Sequence, residues 1–117
     1  MKTVLIIAGS DPGAGAGLQQ DLKVATLLGA YGFTVVTALT VQNSKGVRAV
    51  HPVDPQVVAA QLDAVLEDFP INAVKVGMLA TPEIVRTVAR RLQDLDNVPL
   101  VLDPVLAAGG GFPLLEE

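Results

Sequence analysis

The sequence predicts an α/β fold, a mainly parallel sheet with helices on both faces. Three observations carry this reading. Half of the 117 residues are hydrophobic but only 3% are aromatic, with no Trp. The core must then be built from Val, Leu, Ala and Ile, which suits parallel strands buried under helices. Short apolar runs bounded by turn residues alternate along the chain with segments whose apolar residues recur at helical spacing. Two of those helical segments open on an oxygen-bearing residue followed by proline, Asp54-Pro55 and Thr81-Pro82, the pattern of an N-cap with proline in the first turn.

Taken in order, Val4-Leu5-Ile6-Ile7-Ala8 reads as a strand buried on both faces. Gly17 to Leu28 places Leu18, Leu22, Ala25 and Leu28 at helical spacing, and Gly29 follows where a left-handed C-terminal cap puts glycine. Phe33 to Thr40 is rich in β-branched residues and reads as the second strand. Gln42 to Val53 breaks the pattern, with Val47-Arg48-Ala49-Val50 as a short edge strand or flap. Asp54-Pro55 starts a second helix that runs to about Asp68, with Val58, Leu62, Val65 and Phe69 on one face. Ala73 to Gly77 is the next strand, and Thr81-Pro82 opens a third helix carrying Val85, Val88, Leu92 and Leu95. Leu100-Val101-Leu102 completes the strand set.

That order predicts right-handed crossovers within one domain, since no linker or repeat divides the chain. Gly109 to Glu117 stops where another helix is expected to begin. The reading is therefore a single partial domain over residues 1–117, apparently truncated.

A net charge of -4 with no Lys or Arg stripe argues against a nucleic-acid partner. The absence of Cys excludes a disulfide framework and thiolate metal sites, and is compatible with a cytoplasmic location. The apolar stretch Thr3 to Ala8 is far shorter than a membrane span, and Gly9-Ser10-Asp11-Pro12 ends it abruptly, so no membrane partner is expected.

In open parallel sheets ligands bind beyond the carboxyl ends of the strands. The informative segments are then Gly9 to Gly17, Thr40 to Asn43, Gly77-Met78-Leu79 and Asp103-Pro104-Val105, all expected to face one crevice. Gly13-Ala14-Gly15-Ala16-Gly17 joins a strand to a helix. Its small residues could let a ligand reach the backbone at a helix N-terminus, or could serve packing alone. It matches neither a P-loop nor a dinucleotide fingerprint. Gln42 offers both a donor and an acceptor, which suits the ring-nitrogen and amino edge of a pyrimidine, although a solvated turn amide is the simpler account from the residues alone. Asp103 ends a buried strand before proline; it could bind a cation or orient a phosphate, and the residues alone lean to a turn cap. Met78 fits core filling or the wall of a ring pocket. Lys75, within an apolar strand, needs a partner or a path to water. The lone His51 has no second ligand at metal spacing and is assigned no role.

Read together, Ile7-Ala8-Gly9-Ser10-Asp11-Pro12 with its glycine loop, Gln20-Asp21-Leu22-Lys23, Tyr31-Gly32, Thr37-Ala38-Leu39-Thr40-Val41-Gln42-Asn43, Ala59-Ala60-Gln61-Leu62, Val74-Lys75-Val76-Gly77-Met78-Leu79 and Val101-Leu102-Asp103-Pro104-Val105 resemble the hydroxymethylpyrimidine/phosphomethylpyrimidine kinases of the ribokinase-like fold group. The resemblance implies a small-molecule kinase of thiamine biosynthesis that uses ATP with Mg2+, has an aminopyrimidine substrate and forms a homo-oligomer. It implies that Gly9, Ala16, Thr40, Gln42, Met78 and Val105 surround the aminopyrimidine, with Gln42 bonding the ring and Asp103 nearer the phosphate. Two departures stand out. Relatives often have Ser-Gly where Gly13-Ala14 stands, and Lys-Ser-Gly-Asp where Gly109-Gly110-Gly111-Phe112 stands. The resemblance covers about the first half of such a kinase; the second glycine-rich loop, the catalytic base and most of the ATP site belong to the other half. No catalytic residue is therefore assigned, and residues 1–117 alone are expected to be inactive. A pyridoxine-type vitamin kinase and a non-catalytic pyrimidine-binding module are the alternatives.

Overall fold

The structure, a computed structural model, describes residues 1–103. Its elements are β1 (Thr3–Ser10), α1 (Gly17–Leu27), β2 (Tyr31–Asn43), β3 (Gly46–Pro52), α2 (Pro55–Asp68), β4 (Ala73–Val76), α3 (Pro82–Leu92) and β5 (Leu100–Leu102). They form a five-stranded sheet in the order β3-β2-β1-β4-β5. All pairings are parallel except β2 with β3, so the expected edge strand closes one side in antiparallel register.

The centre of the sheet explains why β1 reads as an unbroken apolar run. Leu5 and Ile7 pack with Val35, Val74 and Val76 against Val58 and Leu62 of α2 and Ile84 and Val88 of α3. Ile6 and Ala8 point the other way, onto Leu18 and Leu22 of α1. The pleat sends successive side chains to opposite faces, and here both faces are covered. The expectation of a parallel sheet wound with helices on both sides therefore holds.

Local chemistry ends each helix. Asp54 Oδ1 accepts from the Gln56 amide at 2.8 Å and Thr81 Oγ1 accepts from the Ile84 amide at 3.2 Å, each followed by proline. At the end of α1 the Gly29 amide donates to Thr26 O and the Ala30 amide to Ala25 O, with Gly29 at φ 85°. This is the paired 5→2 and 6→1 arrangement of a Schellman motif, and only a left-handed residue closes it at low cost.

Some boundaries differ from those expected. β2 starts at Tyr31, which pairs with Thr3 of β1, and runs on to Asn43, while β3 spans Gly46 to Pro52, because the β2–β3 ladder continues past the end of β1 as a two-stranded ribbon. Gly77 lies just beyond β4, and Leu95 lies beyond α3. Phe69 leaves the helical face for an extended conformation, and its ring packs 5.2 Å from that of Phe33. At the far edge, Leu100, Val101 and Leu102 of β5 are all at least half exposed. The expected start of a helix after Gly109 lies outside the described residues.

Candidate functional site

Chain direction decides where a ligand fits on this sheet. From β1 the chain crosses through α1 to β2, whereas from β4 it crosses through α3 to β5, on the opposite side of β1. The loops that follow β1 and β4 thus diverge, and a topological switch point lies between them at the carboxyl edge. Gly9 and Met78 meet there. A Cβ built on Gly9 would fall 2.2 Å from Met78 Cε, so the missing side chain is what admits the thioether methyl. Met78 is 8% exposed, and its carbonyl accepts from Thr37 Oγ1 at 2.6 Å, which ties the loop after β4 to β2.

From the β2 side, Thr40 Oγ1 donates to the Ser10 carbonyl at 2.8 Å and Gln42 Nε2 donates to Thr40 Oγ1 at 2.6 Å. A hydroxyl has one proton, and Thr40 gives it to Ser10, so it meets Gln42 as an acceptor. The Gln42 amide is thereby oriented with nitrogen toward Thr40, leaving Oε1 and the second N–H for other partners.

The glycine loop is organised around a residue that the sequence reading passed over as a turn former. Asp11 is 7% exposed. Its Oδ1 accepts from the Gly13 amide at 2.8 Å, and its Oδ2 accepts from the amides of Gly15 at 3.1 Å and Ala16 at 3.0 Å. The Ala14 amide donates to Asp11 O at 3.0 Å with Ala14 left-handed at φ 57°. Gln19 adds a strap, accepting from the Asp11 amide at 2.9 Å and donating to Ser10 Oγ at 2.6 Å. The amides that a ligand anion would use at Gly13, Gly15 and Ala16 are thus held by an internal carboxylate. Of the two uses left open for this loop, the bonding favours an internally closed turn over a phosphate cradle. The available signal was an aspartate with glycines two and four residues on, the spacing of an Asx turn continued into a ring.

A family model for phosphomethylpyrimidine kinase matches residues 11–117. The chain belongs to the phosphomethylpyrimidine kinase family. It is 52% identical over 111 residues to the hydroxymethylpyrimidine/phosphomethylpyrimidine kinase of Escherichia coli K12, covering 95% of this chain and 42% of that protein. It superposes on the crystal structure of phosphomethylpyrimidine kinase from Clostridium difficile 630 with a TM-score of 0.90 and 43% identity, over 99% of this chain and 50% of the other. A pyridoxal kinase from Staphylococcus aureus in complex with AMP-PCP and pyridoxal gives a TM-score of 0.83 at 37% identity, over 95% of this chain and 41% of the other. The ribokinase-like fold implied by the resemblance holds, and the chain spans half or less of the length of these relatives.

The remaining candidates take different places on the sheet. The Asp103 amide donates to Val76 O at 2.9 Å, which puts Asp103 just past β5 on the same carboxyl edge, with its side chain exposed. Val105 lies outside the described residues. Lys75 finds the partner it needs: Nζ sits 2.6 Å from Asp21 Oδ2, with both side chains about a quarter exposed, joining β4 to α1 across the face of β1. His51 is exposed in β3, opposite Leu39. Among the described residues no three His, Cys, Asp or Glu side chains come together to hold a metal ion. With the loop amides taken by Asp11 as well, these residues do not by themselves fit a Mg2+ or nucleotide-phosphate site. Among the described residues no helix is long and apolar enough to cross a membrane.

Proposed function

We propose that this chain forms the pyrimidine-binding half of an ATP-dependent kinase of thiamine biosynthesis, which phosphorylates the hydroxymethyl group of hydroxymethylpyrimidine and then the resulting monophosphate. The observation that carries the reading is the run of contacts along the carboxyl edge, from Met78 packed on Gly9 to the Ser10 carbonyl, which holds Thr40 of β2 and through it the Gln42 amide in one orientation. Presented that way, Oε1 accepts from an exocyclic amino group and the second N–H donates to the adjacent ring nitrogen. Met78 lays a polarisable apolar surface on the ring, Gly9 leaves the room that the Met78 methyl fills, and Ala16 is assigned to the pocket by the family resemblance. Asp103 is assigned to the phosphate end, and Val105 is assigned to the pocket by the family resemblance alone. ATP would supply the phosphoryl group and Mg2+ would neutralise its charge, both held mainly by the length that the relatives have beyond this match. Phosphoryl transfer rests on positioning and on stabilising negative charge. The base and the second anion-binding loop are expected in the length that the relatives have beyond this match. Residues 1–117 are read as one partial domain of a cytoplasmic homo-oligomer.

Two proteins test this: residues 1–117, and the same residues joined to the C-terminal remainder of the Escherichia coli relative. The joined protein is expected to transfer phosphate from ATP to hydroxymethylpyrimidine. The 117-residue chain is expected to bind the pyrimidine weakly or not at all, with no turnover above background. The likeness to a pyridoxal kinase favours a second reading, so pyridoxal is assayed beside the pyrimidine. Preference for pyridoxal would replace the substrate assignment. Turnover by the verified 117-residue chain at the rate of the joined protein would overturn the division of labour.

A further inference from the structure

We propose that Asp11 is the positioning residue of the pyrimidine pocket, its carboxylate being the resident anion that holds the glycine loop and thereby sets where Ala16 and Gly9 stand. The pocket part of this inference rests on the pyrimidine reading above; the loop part does not. A buried carboxylate is costly unless it is paired or fully hydrogen-bonded. The ion pairs among the described residues join Lys75 to Asp21, Arg86 to Glu83 and Arg91 to Asp63, and none reaches Asp11. Its charge is instead met by the three loop amides and by the start of α1.

The helix depends on it in turn. Ala16 is the N-cap of α1, it provides no side-chain cap, and the first turn has no acidic residue. Asp11, five residues upstream, fixes the amide of the N-cap residue itself, one of the free donors at the start of α1. The path to the pocket is short. Ala16, held through its amide, precedes Gly17, whose Cα packs so closely on Gly9 that a Cβ would fall 2.4 Å from the Gly9 carbonyl oxygen. Gly9 in turn bounds Met78. Releasing Ala16 lets the start of α1 lift from Gly9 and moves two pocket walls together. Asparagine cannot substitute, because one end of its amide is a donor and would face an N–H of the loop.

Amide exchange and ligand binding together test the proposal. In the wild-type 117-residue chain, the amides of Gly13, Gly15 and Ala16 should exchange about tenfold or more slowly than that of Ser44 in the exposed β2–β3 turn. Asp11→Ala should release all three, and added formate should restore their protection by supplying a carboxylate to the same ring, with no effect on wild type. Asp11→Asn should release at least one. In the joined protein, both variants should bind hydroxymethylpyrimidine about tenfold or more weakly, with formate rescuing Asp11→Ala alone. Fast exchange of the three wild-type amides would overturn the proposal, a decision that needs no variant to fold. Loop release with pyrimidine affinity within about twofold of wild type would also overturn it, reducing Asp11 to a helix cap. Loss of pyrimidine binding by wild type itself, with the exchange pattern intact, would sink the pyrimidine reading and leave Asp11 as the anion of the loop.

Discussion

Gly17 and Gly29 both have positive φ, 63° and 85°, yet they stand in different surroundings. A Cβ on Gly29 meets nothing within 4 Å, so Gly29→Ala should cost only the left-handed backbone penalty, about 1–2 kcal/mol. A Cβ on Gly17 runs into the Gly9 carbonyl, and strand backbone does not yield as a flexible side chain does. Gly17→Ala should cost about 1–3 kcal/mol more than Gly29→Ala, read from urea unfolding of the two variants side by side. For ligand binding, Gln42→Ala in the joined protein should weaken pyrimidine affinity by about 1–3 kcal/mol in calorimetry, the cost of leaving a buried partner unsatisfied. Unchanged affinity would remove Gln42 from the ring-reading role. Gln42 and Met78 were readable as candidates because each follows an apolar run in the sequence, although Gln42 proves to lie within β2, near its end. Asp11 was not, because Asp-Pro after a strand is the ordinary signature of a turn. Its grip on three amides depends on loop dihedrals, including the left-handed Ala14, that composition does not encode.

At the scale of elements, the caps were the most readable features. Asp54-Pro55 and Thr81-Pro82 start helices where their chemistry says they should, because a cap acts within one turn and needs no tertiary partner. Asp54→Ala and Thr81→Ala should each lower stability by about 1 kcal/mol in chemical denaturation, with glycine at the same positions costing less. The bridge between α3 and α2 should matter less than its geometry suggests. Arg91 Nε lies 2.8 Å from Asp63 Oδ1, but both side chains are more than two-fifths exposed. A double-mutant cycle should give a coupling of about 0.2–1 kcal/mol, falling with added salt. Element ends set by long-range pairing were the unreadable part. Asn43 and Gly46 lie in strands because the β2–β3 ribbon extends past β1, and Phe69 leaves the helical face to meet Phe33. Neither fact is present in the local pattern.

For the whole molecule, the exposed β5 edge gives the clearest expectation. Leu100 and Leu102 share one face of the strand and Val101 the other, and all three are at least half exposed among the described residues. Such an edge is a template for pairing. The 117-residue chain should show concentration-dependent association in sedimentation, and Val101→Lys should reduce it; an unchanged profile would place the contact elsewhere. The layered architecture was legible because apolar runs alternate with helical periods, whereas the strand order β3-β2-β1-β4-β5 is set by long-range pairing and is seen only in the structure. That order has a consequence during synthesis. β1 pairs with β2 on one side, and its other side waits for β4, with Val4 opposite Ala73 and Ile7 opposite Val76. At a translation rate of roughly 5–20 residues per second, the stretch from the end of β2 to the end of β4 takes on the order of seconds to emerge. For that interval Leu5-Ile6-Ile7, the most apolar strand of the nascent chain, presents an open edge to chaperones and to neighbouring ribosomes. The ribosome's pace thus sets the shortest time for which the middle of this sheet stays uncovered.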